Sequence, residues 1–223
     1  MELLIFLIIG TILMTIVMLY IRKYYGFVRW KVILSAVCLT ITGVTGASYM
    51  FFIESGHMGG VSFYGALFFA PVVMAVLAAV LRIPVGRMLD ICAPAECIML
   101  ALLKIRCIYF DCCNGIILYE TEQVSVRFPS QVTELITALC IMFVLIRFIK
   151  ENRYENQIYA WYMVIYGATR FVLNAFRETT PFVWILPAGS FWSIISVIVG
   201  TMWILAIRFY TKKRNDNHQE INE

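Results

Sequence analysis

The chain alternates long apolar runs with short polar connections. Unbroken apolar stretches fall at 3–21, 32–53, 61–81, 88–105, 132–149, 158–176 and 186–208. Each is close to the roughly 20 residues that a helix needs to cross the hydrocarbon of a bilayer. The runs are continuous and do not alternate, so the pattern predicts helices that satisfy their own backbone hydrogen bonds, and strands are not expected. The fold class expected is all-α, a polytopic membrane bundle of about seven transmembrane helices over residues 1–210. A polar, irregular tail is expected at 211–223. Segments 88–105 and 158–176 are the least apolar, because each carries charges internally.

Composition strengthens this reading. Apolar residues make up 61% of the 223 and charged residues only 14%, against about 45–50% and ~25% in a soluble domain. The net charge of +4 matters less than where the cations sit. Loop 22–31 holds Arg22, Lys23, Arg29 and Lys31, and loop 82–87 holds Arg82 and Arg87. The 147–157 connection holds Arg147, Lys150 and Arg153, and the tail adds Arg208, Lys212, Lys213 and Arg214. With seven spans these thirteen of the 18 basic residues share one side, which the positive-inside bias makes cytoplasmic. The N-terminus is then outside and the C-terminus cytoplasmic. The start carries Glu2 and no basic n-region, and no small-residue cleavage site follows, so a cleaved signal peptide is not expected. There is no Walker motif and no GxGxxG. No cofactor or metal is expected, nor is nucleic acid, since the basic residues are those of cytoplasmic loops.

Five cations break the pattern: Lys104, Arg106, Arg127, Arg170 and Arg177. They lie at the outer ends of the predicted helices or within them, where a charge is costly unless it is paired, wet or bound to an anion. Tyr166, Arg170, Asn174 and Arg177 follow a helical spacing and predict a polar stripe on the sixth span. Gln131 and Glu134 are three apart and predict a shared face at the start of the fifth. Gly59-Gly60-Val61-Ser62-Phe63-Tyr64-Gly65 opens the third. Four helices thus bring polar groups to one depth, several of them cationic. A phospholipid headgroup is the anion that reaches that depth, and arginine suits phosphate because its planar fork gives two donors. Two structural readings compete: terminal cations that snorkel to the interface, and ion pairs with Glu134 or Glu96 that hold the bundle.

These motifs resemble the bacterial prolipoprotein diacylglyceryl transferases. Gly43-Val44-Thr45-Gly46-Ala47 resembles the Gly-x-x-Gly-Ala turn in the family's second helix, and residues 59–65 resemble its Gly-Gly-x-Ser-Phe-His-Gly. Leu89 to Pro94, then Lys104-Ile105-Arg106-Cys107 and Cys112-Cys113-Asn114-Gly115, are similar to its signature region. Arg127 to Glu134 resembles Arg-His-Pro-Ser-Gln-Leu-Tyr-Glu, and Tyr166 to Glu178 resembles Tyr-Gly-x-x-Arg-Phe-x-x-Glu-x-x-Arg. The resemblance runs in order from about 41 to 195. It implies transfer of a diacylglyceryl group from phosphatidylglycerol to the cysteine thiol of a lipoprotein precursor peptide in the bacterial plasma membrane, by a monomer. Arg170, Lys104 and Tyr64 are the implied catalytic residues, and Lys104, Arg106, Arg170 and Arg177 the implied phosphate ligands. Ser62, Gly115, Gln131, Glu134 and Asn174 are the implied supporting residues, with Gln131 and Glu134 orienting the arginines.

The sequence departs from the family at several of these positions. Tyr64 stands for a histidine, Lys104 for the signature arginine, Arg106 for a glycine and Asn174 for a glutamate. Ser48 replaces an arginine, and Met99-Leu100 replaces Gly-Gln. A neutral tyrosine, with a pKa near 10, is a poor base near neutrality. A catalytically silent relative that binds phospholipid, or an accessory protein of a lipoprotein pathway, is therefore the alternative. A transporter or channel fits less well, since the ionisable residues trace no path across. Among the seven cysteines, Cys38, Cys92, Cys97 and Cys140 read as small packing groups. Cys107, Cys112 and Cys113 are similar to a Cys-x4-Cys-Cys of some family members, and that resemblance implies a loop disulfide if the compartment is oxidising, while zinc would want four ligands. His57, on a short loop, is a candidate for the missing base.

Overall fold

The computed structural model describes residues 2–57, 59–120, 125–178, 182–183 and 185–220. Among these residues it holds seven α-helices: α1 (Glu2–Ile21), α2 (Arg29–Ser55), α3 (Phe63–Val80), α4 (Val85–Tyr109), α5 (Ser130–Lys150), α6 (Ile158–Asn174) and α7 (Ala188–Glu220). Five of them, all but α4 and α6, are long and apolar enough by themselves to cross a membrane. Leu4, Ile8, Ile12 and Ile16 on α1 and Val72, Val76 and Val80 on α3 are exposed. An apolar outer surface of this kind is what lipid requires. The protein is an all-α membrane protein.

The two less apolar helices are the sheltered ones. Every residue of α4 from Met88 to Cys97 is buried, and α4 packs on α1, α3, α5 and α6. A helix enclosed by protein on most sides need not present a hydrocarbon surface, so Asp90, Glu96 and Lys104 are tolerated along it. Asp90 is fully buried and accepts hydrogen bonds from the backbone N–H of Asn156 (2.6 Å) and Ile158 (2.9 Å) and from the Tyr25 hydroxyl (3.3 Å). It thereby satisfies donors that the start of α6 would otherwise leave open. α6 packs most extensively on α7, through small residues. A Cβ on Gly167 would come 2.8 Å from the Ser193 carbonyl, and the Ser196 hydroxyl donates to the Met163 carbonyl (2.8 Å). Close backbone approach of this sort is how helices associate where no water drives them together.

One segment makes a close helix crossing, and two sequence expectations need correction. The Gly43–Ala47 segment lies within the continuous helix α2, inside the predicted run 32–53. Its small residues form a crossing with α3, where a Cβ on Gly46 would lie 2.8 Å from the Gly65 carbonyl and one on Gly65 would overlap Gly46. The tail expected to be irregular from 211 continues α7 as far as Glu220. Strands do occur, outside the long helices: β1 (Ile117–Glu120) pairs antiparallel with β2 (Ser125–Arg127), and β3 (Phe182–Val183) with β4 (Leu186–Pro187). Their backbone groups lie beyond the helices and pair with one another.

The connections sort into two ends. At one, Lys31 donates to the Leu81 carbonyl (2.7 Å) and Asp90 holds the start of α6. The other end gathers the α2–α3, α4–α5 and α6–α7 connections. There the Ile116 N–H bonds the Phe176 carbonyl (3.0 Å), the Glu178 N–H bonds the Asn114 carbonyl (3.1 Å), and Gly115 bridges Arg177. A Cβ on Gly115 would press on the Phe128 backbone, so glycine lets the two arms of the α4–α5 connection lie this close.

Candidate functional site

Glu134, on the first turns of α5, is buried and surrounded by cations from three segments. Its Oε2 lies 2.5 Å from Lys104 Nζ on α4. Its Oε1 pairs with the Arg170 guanidinium on α6 and lies 3.8 Å from Arg177 Nε. Three cations around one carboxylate leave two positive charges uncompensated in a site where Lys104, Arg170 and Arg177 are all largely shielded from solvent. Burying such charges without an anion is expensive. Arg177 does not continue the predicted stripe along α6, which ends at Asn174. The bridge to Gly115 brings it back over the site instead.

A cavity of about 320 Å³ opens from this cluster. Lys104, Arg106, Glu134, Arg170 and Arg177 line its charged end, and Leu7, Met14, Leu39, Val44, Leu100 and Leu103 are among its apolar walls. It lies at the lower end of the roughly 300–1,000 Å³ usual for small-molecule pockets. Arg106 is half-buried, its guanidinium 4.8 Å from the centre of the Phe110 ring. Its buried Nε has no hydrogen-bond partner among the described residues.

The remaining predicted site residues divide between the cavity and its frame. Tyr64 lines the cavity, but its hydroxyl is engaged, 2.5 Å from Ser193 Oγ and donating to the Gly189 carbonyl at 3.2 Å. Tyr64 therefore fastens α3 to the start of α7. Ser62 precedes α3, lines the cavity and donates to Glu54 Oε1 (2.7 Å). Gln131 does not orient the arginines, contrary to expectation. Its amide donates to the Cys112 carbonyl (2.9 Å) and to Asn114 Oδ1 (2.6 Å), holding the α4–α5 connection. One position at the start of a helix faces the loop above it while Glu134, a turn further on, faces the bundle. Asn174 likewise leaves the cluster and donates to Ser190 Oγ (2.7 Å), tying α6 to α7. Gly115 acts through the bridge already described.

Arg127 belongs to strand β2 and pairs with Glu178 at the surface, apart from the cluster. Glu96 pairs with no cation among the described residues; the Tyr159 hydroxyl lies 3.0 and 3.2 Å from its two oxygens and 3.0 Å from the Leu67 carbonyl. His57 is exposed, its ring against Phe51 and its Nδ1 3.0 Å from the Ser55 carbonyl, and it does not reach the cavity lining. The three loop cysteines converge: the sulfurs of Cys107, Cys112 and Cys113 lie within 4.8 Å of one another, with Cys107 and Cys113 Sγ 3.9 Å apart as thiols. Cys113 is held below the usual thiol range by the S–H of Cys107 and the nearby charges of Lys104 and Arg177.

Glu54 is the cavity residue that sequence reasoning missed. It stands one residue past an apolar run, where an acid reads as an ordinary helix end. The glycine-rich approach to α3 folds back to place Ser62 against it, and no local spacing announces that contact.

Helices, cavity and cation cluster together define a multi-pass membrane protein with a charged, apolar-walled cavity. The sequence model of the prolipoprotein diacylglyceryl transferase family matches residues 4–206, and the chain belongs to that family. Over 168 residues it is 28% identical to the phosphatidylglycerol–prolipoprotein diacylglyceryl transferase of Verminephrobacter eiseniae (strain EF01-2). That alignment covers 67% of this chain and 60% of the relative, so the chain spans less than two thirds of the relative's length.

Proposed function

We propose that the protein moves a diacylglyceryl group from phosphatidylglycerol to the cysteine thiol of a lipoprotein precursor. The observation that carries this reading is the cluster of Lys104, Arg170 and Arg177 around Glu134, at one end of a cavity whose other walls are apolar. The lipid phosphate sits among these cations, with Arg106 adding a fourth, and the glycerol backbone points towards the apolar wall. As the sulfur attacks the glyceryl carbon, negative charge grows on the departing phosphate. Cations fixed at that place favour the charge without needing to reorganise. Arg170 and Lys104 are the principal groups, and Glu134 keeps them apart and aimed. Tyr64 positions the first turn of α3 beside the reacting carbon, with Ser62 beside it. Gln131, Gly115 and Asn174 hold the connections that frame the cavity.

In this reading all seven helices cross the bacterial plasma membrane, the N-terminus and the site end lie outside, and the C-terminal end of α7 is cytoplasmic. The protein works as a monomer on phosphatidylglycerol and the precursor peptide, with 1–210 as the membrane domain and 211–223 as a cytoplasmic extension. The test is complementation of a strain lacking its transferase, with lipidation of a reporter precursor read by mass spectrometry. Lipidated reporter is expected; unmodified reporter at normal membrane expression contradicts the reading.

One set of contacts favours a second reading, a silent phospholipid-binding or accessory relative. Lys104 and Arg170 are both held by Glu134, and the Tyr64 hydroxyl is held by Ser193. Under that reading the parent is inactive, and a Tyr64→His, Lys104→Arg double variant gains transfer.

A further inference from the structure

We infer that Glu54 is the proton acceptor for the attacking thiol, an inference that rests on the transfer reading above. The reaction releases a proton from the thiol, and a base must receive it within hydrogen-bond reach. Three carboxylates line the cavity: Glu54, Glu96 and Glu134. Glu134 is occupied by three cations. Glu96 has both oxygens close to the Tyr159 hydroxyl, and it precedes Lys104 by eight residues on α4, about 12 Å at 1.5 Å per residue. It therefore lies deep in the bundle, away from the cations that would hold the leaving group. The Tyr64 hydroxyl is engaged by Ser193 and Gly189.

Glu54 differs on each count. It is half-buried on the last turn of α2, at the end where the site's connections gather. It forms no ion pair among the described residues. Its Oε1 accepts from Ser62, and its Oε2 has no partner among them. The Ser62 hydroxyl fixes the carboxylate in orientation, the arrangement expected of a base held by a third group.

In the step this assigns, Glu54 Oε2 takes the thiol proton as the sulfur forms a bond to the glyceryl carbon. The bond from that carbon to the phosphate oxygen breaks, and its electron pair leaves with the phosphate. Glycerol phosphate departs from Lys104, Arg170 and Arg177, and the proton on Glu54 passes to it or to water. Charge and atoms balance with no further reactant.

The test uses the full chain in phosphatidylglycerol vesicles with a cysteine-containing precursor peptide, following thioether formation by mass spectrometry across pH. Loss of a general base costs about 10²–10⁴-fold, so Glu54→Gln should lower the rate at neutral pH by at least about 100-fold. The variant should recover as pH rises towards the ordinary thiol pKa of about 8.5, where the thiol ionises unaided. Its thermal stabilisation by phosphatidylglycerol should match that of the parent, which shows a folded, lipid-binding protein. Ser62→Ala removes the hydrogen bond and keeps the carboxylate, and should cost less than about tenfold, in line with the loss of one orienting bond. A Glu54→Gln rate within threefold of the parent, or a loss matched by Ser62→Ala with the same pH profile, overturns the assignment and leaves the transfer reading standing. No transfer by the parent overturns both.

Discussion

Replacing Glu134 by glutamine tests the cation cluster most severely. The side chain keeps its shape and one acceptor but loses the charge that holds Lys104, Arg170 and Arg177. At an effective dielectric of about 20, one opposite pair at 4 Å is worth about 4 kcal/mol. Three attractions are lost here and the mutual repulsion of three cations is uncovered, while relaxation and the glutamine carbonyl recover part of the loss. Removing one partner of a buried pair costs about 3–5 kcal/mol in measured cases, and that is the magnitude expected. For a chain of this size it corresponds to a fall of roughly 10 °C in the thermal midpoint.

The lipid should matter. An anion in the cavity supplies the charge that the variant lacks, whereas a zwitterionic lipid does so poorly. Thermal midpoints should be measured in nanodiscs of phosphatidylglycerol and of phosphatidylcholine. The deficit of Glu134→Gln should be large in phosphatidylcholine and at least halved in phosphatidylglycerol. An equal deficit in both lipids would mean that the cations are structural pairs and no phosphate site. No deficit in either would mean that the cluster does not stabilise the fold at all.

Three further outcomes follow from the same geometry. Arg170→Lys keeps the charge and loses the two-donor fork, and should lower lipid transfer by about tenfold, or about 1.4 kcal/mol, while Arg170→Ala lowers it further; equal rates for Arg170→Lys and the parent would contradict bidentate phosphate binding. Cys113 is poised as a thiolate by Cys107, Lys104 and Arg177. Its alkylation by iodoacetamide should therefore persist below the ordinary thiol pKa of about 8.5 and be lost only as pH falls through the lowered value, whereas an ordinary pH profile would contradict that poise. Asp90→Asn, at the opposite end, replaces an acceptor of three hydrogen bonds and should cost about 1–3 kcal/mol of stability, with unchanged stabilisation by phosphatidylglycerol.

The helical bundle was legible because the membrane demands continuous apolar runs, and even the two weaker runs proved to be helices. What the runs did not reveal is why they are weaker: α4 is enclosed by its neighbours, and enclosure is a property of packing. The cation cluster was legible in Lys104, Arg170 and Arg177, since charges in apolar surroundings advertise a partner. Helix spacing did not reveal the partners of Gln131 and Asn174, because it fixes a direction around the axis and not what the next loop places there. Arg177 reached the cluster by another route, through the bridge to Gly115, after α6 had ended. Glu54 left no trace in the sequence. Its contact with Ser62 depends on the path of the intervening loop, and an acid at a helix end looks the same whether it faces water or a cavity.

In the proposed function the cavity carries phosphate leaving-group chemistry on a diacylglyceryl donor. The most direct measurement reconstitutes the purified protein in vesicles of glycerol-labelled phosphatidylglycerol with a precursor peptide and quantifies both products. One glycerol phosphate should be released for each diacylglyceryl thioether formed, with both lost together in Arg170→Ala. Lipid-dependent stabilisation of the protein with neither product formed would contradict the proposed function.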